Sequence, residues 1–125
     1  MNYLLDTNAL LWALEKPERL GDAGQAALLN RGYAIYISPI SCYEMMAKNA
    51  KGKLDLPPNM REEIAIAQFI ELPLILEDGF MASTLPPLHA DPFDRLLIAQ
   101  AIRLQLTIIT ADRVIAEYPV KVLKI

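Results

Sequence analysis

Tyr3-Leu4-Leu5-Asp6-Thr7-Asn8-Ala9-Leu10-Leu11-Trp12-Ala13-Leu14-Glu15 passes from a short apolar run, through an acid, into helical spacing that begins at Ala9 and breaks at Lys16-Pro17. A brief, wholly apolar run with a polar group at its end suits a strand buried on both faces. The pattern recurs. Ala34-Ile35-Tyr36-Ile37 is a second such run, closed by Ser38-Pro39 and followed by a helix over 41–51 that stops at Gly52. Thr107-Ile108-Ile109-Thr110 is another, with Asp112 just beyond it and a helical turn over 112–117. Between these lie helices predicted over 22–30 and over 59–70, the latter capped by Asn59 with Glu62 and Glu63 in its first turn. Leu74-Ile75-Leu76 reads as a third strand, 80–84 as a short helix, 93–104 as the strongest helix and 120–124 as the last strand. Strands that alternate with helices favour parallel neighbours, because parallel pairs need crossover connections. The expected fold is therefore α/β, an α/β/α sandwich around a mostly parallel sheet.

A chain of 125 residues is the size of one domain, so a single unit spanning 1–125 is expected. Its residues are 54% hydrophobic but only 7% aromatic, a mixture suited to aliphatic strands between helices. The net charge of −3 argues against broad adhesion to nucleic acid or to an anionic membrane. It leaves room for a nucleic-acid enzyme that uses a few local cations and a metal. Cys42 is the only cysteine, which excludes an intrachain disulfide, and it reads as a small buried hydrophobe. Asp6 interrupts the apolar start and no basic leader precedes it, so no secretory signal is expected. The apolar stretch from Leu96 carries Gln100, Arg103 and Gln105 and is a poor membrane span, which points to the cytoplasm.

Four acids stand at corresponding places in this pattern. Asp6 and Asp112 follow strands, while Asp94 and Glu44 open helices. In open α/β sheets, functional groups collect beyond the carboxyl ends of the strands, where strand order reverses. Each acid also has an ordinary role available. Asp6 or Thr7 caps the first helix, Asp112 the turn after it, and Asp91 the helix that starts at Pro92, with Asp94 and Glu44 as helix-face charges. Converging carboxylates repel, and a hard divalent cation relieves that repulsion with oxygen ligands, one or two of them direct. Such a centre suits phosphodiester hydrolysis, with a carboxylate accepting a proton from attacking water. One histidine and one cysteine make a zinc centre a poor fit, so His89 reads as a local structural group. Arg95, Arg113, Lys48 and Lys51 are candidate phosphate contacts, or else ordinary exposed helix cations.

Leu4-Leu5-Asp6-Thr7-Asn8-Ala9, Ile40-Ser41-Cys42-Tyr43-Glu44, the run from His89-Ala90-Asp91-Pro92-Phe93-Asp94-Arg95 to Ala101, and Ile108-Ile109-Thr110-Ala111-Asp112 together resemble, in order, the motifs of PIN-domain nucleases. The third run is similar to that of VapC-type toxins of toxin–antitoxin pairs. The resemblance implies a compact PIN-like domain and Mg²⁺- or Mn²⁺-dependent endoribonuclease activity on RNA. It also implies a homodimer and an antitoxin that blocks the acidic site. Carried over by position, it makes Asp6, Glu44, Asp94 and Asp112 the catalytic set. Asp6 and Asp94 then hold the metal, with Glu44 and Asp112 acting directly or through water. Thr110 occupies a supporting hydroxyl position, and Thr7, Asn8 and Ser41 lie in matching segments. Asp91 is left as a helix cap that assists.

Two other classes compete. A Mg²⁺-dependent phosphatase or phosphoryl-transfer domain would use Asp6 as nucleophile, but such enzymes commonly carry a second Asp two positions on, where this chain has Asn8. A noncatalytic interaction module would use Leu10, Leu11, Trp12 and Leu14 as a partner groove, although apolar residues at helical spacing are more often core.

Overall fold

The computed structural model describes all 125 residues. Five strands form one sheet: β1 (Asn2–Leu5), β2 (Ala34–Ile37), β3 (Ile70–Glu71), β4 (Thr107–Thr110) and β5 (Val122–Lys124). Their order is β3-β2-β1-β4-β5 and every pairing is parallel. Six α-helices make the first three crossovers, α1 (Thr7–Glu15), α2 (Gly21–Leu29), α3 (Pro39–Ala50), α4 (Met60–Ile66), α5 (Leu76–Thr84) and α6 (Pro92–Leu104), and a 3₁₀ turn at Ile115–Glu117 lies in the last. The expected α/β/α architecture is what the chain adopts.

Strand alternation builds the two cores. Tyr3, Leu5, Ile35, Ile37 and Ile109 face one side with Leu10 of α1, Ala27 of α2, Met45 of α3 and Met60 just inside α4. Leu4 and Ile108 face the other, packed with Leu97, Ile98 and Ala101 of α6 and with Ile115 and Tyr118. Leu10 is fully buried, and Leu11, Trp12 and Leu14 pack against the first core, so the apolar face of α1 is core and not a partner groove. No helix is long and apolar enough to cross a membrane.

Most elements lie where the hydrophobic pattern puts them; one does not. Leu74-Ile75-Leu76 is not a strand. The third strand is the two-residue Ile70–Glu71, paired with Tyr36 and Ile37, and Leu76 opens α5 with 81% of its surface exposed. An aliphatic run is ambiguous between helix and strand, and here Asp78 decides it. Its buried carboxylate accepts from the Ile75 N–H at 3.0 Å and so starts the helix, while Arg103 of α6 grips both its oxygens at 2.7 and 3.1 Å. Buried Gln100 adds a second tie, donating to the Leu72 carbonyl at 3.0 Å. The helix expected over 59–70 is also shorter, Met60–Ile66, and Asn59 makes no side-chain cap bond. A 3₁₀ turn at Pro17–Leu20 follows the break at Pro17.

The Asp78–Arg103 pair has a testable weight. Asp78→Ala removes one partner of a half-buried ion pair and orphans the Ile75 N–H, so a loss of about 2–4 kcal/mol is expected. Urea denaturation reads it, and a loss under about 0.5 kcal/mol would show that the pair does not hold α5 to α6.

Candidate active site

Strand order reverses direction at β1, which has β2 on one side and β4 on the other. The register sets Leu4 beside Ile108 and Leu5 beside Ile109, and the Asp6 N–H donates to the Ile109 carbonyl at 3.3 Å. Asp6 and Asp112 therefore leave the sheet at one edge, as open α/β sheets arrange their ligand sites.

Asp6 serves two purposes at once. It is the N-cap of α1, with Oδ1 accepting from the Ala9 N–H at 2.8 Å, and its Oδ2 accepts from the Thr110 hydroxyl. The Thr110 oxygen in turn accepts the Asp112 N–H at 2.9 Å, so one buried hydroxyl joins the two acids. Asp112 Oδ1 caps the next turn through the Val114 N–H at 2.8 Å. On α3, which begins two residues earlier than expected, Glu44 lies in the second turn. Its Oε1 accepts from the Thr7 hydroxyl at 2.8 Å and its Oε2 pairs with Lys48 at 3.1 Å. The capping roles and the shared site are therefore compatible, because a carboxylate has two oxygens.

Asp94 is the meeting point. Its carboxylate lies with those of Glu44 and Asp91 in one group of oxygens within 4.8 Å of one another, and with His89 and Asp112 in a second. Asp91, read from sequence as a cap, does cap α6 through the Phe93 N–H at 2.9 Å and also joins the acidic group. His89 is more central than expected. Its Nε2 lies 3.0 Å from Asp94 Oδ2 and 2.8 Å from Asp112 Oδ2. His89 opens the third motif run, but the sequence reading made it a local structural group.

The supporting residues divide. Thr7 and Thr110 touch the acids directly. Ser41 is fully buried on α3, one turn before Glu44, with its hydroxyl unpartnered, and Asn8 is exposed. Arg95 is placed away from phosphate-binding duty. It donates to the carbonyls of Ala82, Leu85 and Pro86, each at 2.8 Å, and approaches the Tyr118 hydroxyl at 3.3 Å, closing the end of α5. Lys48 is engaged by Glu44, whereas Arg113 and Lys51 are exposed and outside any ion pair.

Electrostatics record the crowding. Burial, and then the charge of Asp91, push the Asp94 carboxyl up to about 7. Burial likewise raises Asp6, against the hydrogen bonds from Thr110 and Ala9. Burial also works against the charge of Asp112, but the hydrogen bond with His89 and the Val114 N–H outweigh it and hold that carboxyl below its ordinary value. Carboxylates with this much uncompensated charge fit a hard divalent cation, and the donor set is oxygen-rich, as Mg²⁺ and Mn²⁺ require. The oxygens of Glu44, Asp91 and Asp94 lie close enough to one another for such an ion, Asp112 lies as close to Asp94 on its other side, and the charge of Asp6 also bears on Asp94.

A family model described as PIN domain matches residues 3–121. No curated protein matches the chain by sequence. Among solved structures, VapBC2 from Rickettsia felis, bound to a promoter DNA fragment, superposes with a TM-score of 0.77 at 19% identity, covering 100% of this chain and 99% of that one. DNA-bound VapBC from Salmonella typhimurium gives 0.69 at 14% identity, covering 99% and 98%. FitAcB from Neisseria gonorrhoeae gives 0.63 at 17% identity, covering 98% and 96%. At these identities the likeness is one of fold.

The raised acids make stability depend on pH. Where a carboxyl titrates higher in the fold than in the unfolded chain, the fold holds the extra proton, so metal-free stability falls as pH rises from the ordinary carboxylate range to about 7. The lowered Asp112 acts with the opposite sign and only on further acidification. Asp94→Asn keeps an acceptor for His89 and removes the charge. In chelator, the variant is expected to exceed the parent by about 1–2 kcal/mol at about pH 8, with the gap closing toward about pH 4. Denaturation curves at several pH values check this, and parallel curves would contradict it.

Proposed function

The chain belongs to the PIN domain family, and on that premise we propose that it is a Mg²⁺- or Mn²⁺-dependent endoribonuclease, the toxin of a VapBC-type pair. The observation that carries this reading is the convergence on Asp94 of the carboxylates of Asp6, Glu44, Asp91 and Asp112, at the sheet edge where strand order reverses. A divalent cation held there supplies positive charge against the phosphate and makes a bound water more acidic. Asp6 and Asp94 would hold it, with Glu44, Asp91 and Asp112 beside them directly or through water. Asp6 and Thr110 keep Asp112 in place from beneath, and Thr7 fixes the rotamer of Glu44. A carboxylate of this set accepts the proton of the attacking water. Arg113 and Lys51 are the cations free to meet the RNA backbone, since Arg95 is committed to backbone carbonyls.

The partner follows from the company this fold keeps. Structures similar to this chain were solved as VapBC complexes, which supports an antitoxin that binds the chain and covers its acids. A homodimer belongs to the same proposal, and the exposed Leu76 and Phe80 of α5 are apolar surface that supports it. The cytoplasm suits a chain with a single free cysteine.

Cleavage mapping on total RNA tests the activity. The wild type is expected to cut defined sites with Mg²⁺ and to lose that activity in chelator. Asp94→Asn should lower the rate by about 10²-fold or more. Equal cleavage by the variant, or cleavage that survives chelation, would sink the assignment. Co-expression with the short neighbouring reading frame should relieve growth arrest and yield a stable complex; failure of both would remove the antitoxin pairing.

A further inference from the structure

The segment that joins α5 to α6 carries both His89 and Asp91, yet it has no regular structure of its own. Besides the local bond from the Leu88 N–H to the Pro86 carbonyl at 2.8 Å, two side chains from other elements engage its partly exposed backbone. Arg95 takes the carbonyls of Leu85 and Pro86. Tyr118, which follows the 3₁₀ turn Ile115–Glu117, engages Pro86, Leu88 and His89. Its hydroxyl accepts from the Leu88 N–H at 3.1 Å and the His89 N–H at 2.8 Å, and donates to the Pro86 carbonyl at 2.8 Å. The Tyr118 ring is buried in the core with Leu97, Ile98 and Ile108, so this anchor is rigid.

The orientation passes on to the ring of His89. Its Nδ1 accepts the Asp91 N–H at 3.1 Å. A nitrogen that accepts an N–H carries no proton, so the ring's proton sits on Nε2. That N–H then faces Asp112 Oδ2 at 2.8 Å and Asp94 Oδ2 at 3.0 Å. The same tautomer bars Nε2 from ligating a cation, because its lone pair is used by the proton. His89 therefore gathers the two carboxylates and is not a third ligand.

We propose that Tyr118 is a positioning residue of the acidic site: its buried hydroxyl holds the 86–89 backbone so that His89 presents a single Nε2–H to Asp94 and Asp112. Only the cation-binding consequence rests on the reading of the site as a metal centre; the tautomer does not. A purely structural Tyr118 would fill the core and satisfy the loop without governing His89.

Tyr118→Phe separates the two roles, since it keeps the ring and deletes the hydroxyl. His89 is the only histidine, so imidazole two-bond ¹⁵N–¹H correlations from the full-length, metal-free chain belong to one residue. The wild type is expected to show one tautomer with the proton on Nε2, and the variant to lose that single-tautomer signature. Mn²⁺ affinity, read from the resonance of free Mn²⁺, should weaken about tenfold in the variant, the usual scale for loss of a group that orients a ligand. An Nδ1–H tautomer in the wild type overturns the proposal, even if the variant does not fold. So does a folded variant with unchanged tautomer and unchanged Mn²⁺ affinity. A wild type that binds no Mn²⁺ would remove the metal reading of the site, while the tautomer pair would still decide the role of Tyr118.

Discussion

Parallel pairing of β1 with β4 is the constraint on which the site depends. It brings together two strands roughly a hundred residues apart in sequence and aligns them so that both end at one edge. Asp6 and Asp112 then have no choice but to leave the sheet as neighbours. The Thr110 hydroxyl, bonded to Asp6 and to the Asp112 backbone, is the local expression of that pairing. A change of register by one residue would turn Ile108 and Ile109 to the wrong cores and separate the acids in the same step.

Crowded carboxylates oppose folding, and the chain offsets this with hydrogen-bond donors. Ala9, Phe93 and Val114 supply helix-start N–H groups, Thr7 and Thr110 supply hydroxyls, and His89 supplies a ring N–H. Helix beginnings are suited to this task because their first N–H groups lack internal partners. Asp94 and Asp6 are nevertheless both held above their ordinary range, chiefly by burial. The Asp94 carboxyl is pushed up to about 7, in contrast to the lowered Asp112 a few ångströms away.

Arg95 shows how position in a motif and duty in the fold can diverge. It stands next to Asp94 in sequence, but adjacent residues on a helix point in different directions. Its guanidinium turns to the end of α5 and closes the loop that bears His89. Arg95 and Tyr118 together make that loop part of the rigid body, which accounts for precise placement of Asp91 and His89 on a segment without helix or ladder bonds.

The alternation of apolar strands and helices, the parallel sheet, and the strands at Ala34–Ile37 and Thr107–Thr110 were legible from residues and spacing, as was the nearness of Asp6, Glu44 and Asp112 to Asp94. Local periodicity and short motifs carry that information because they reflect burial within a few residues of chain. Other features were not legible. The helix beginning at Leu76 depends on Arg103, far along the chain, holding Asp78. The place of His89 between Asp94 and Asp112, and the turning of Arg95 away from it, depend on Tyr118 and on carbonyls at the end of α5 and in the loop after it. Such contacts join residues with no fixed spacing, so no pattern along the chain encodes them; they exist only once the sheet and helices have packed.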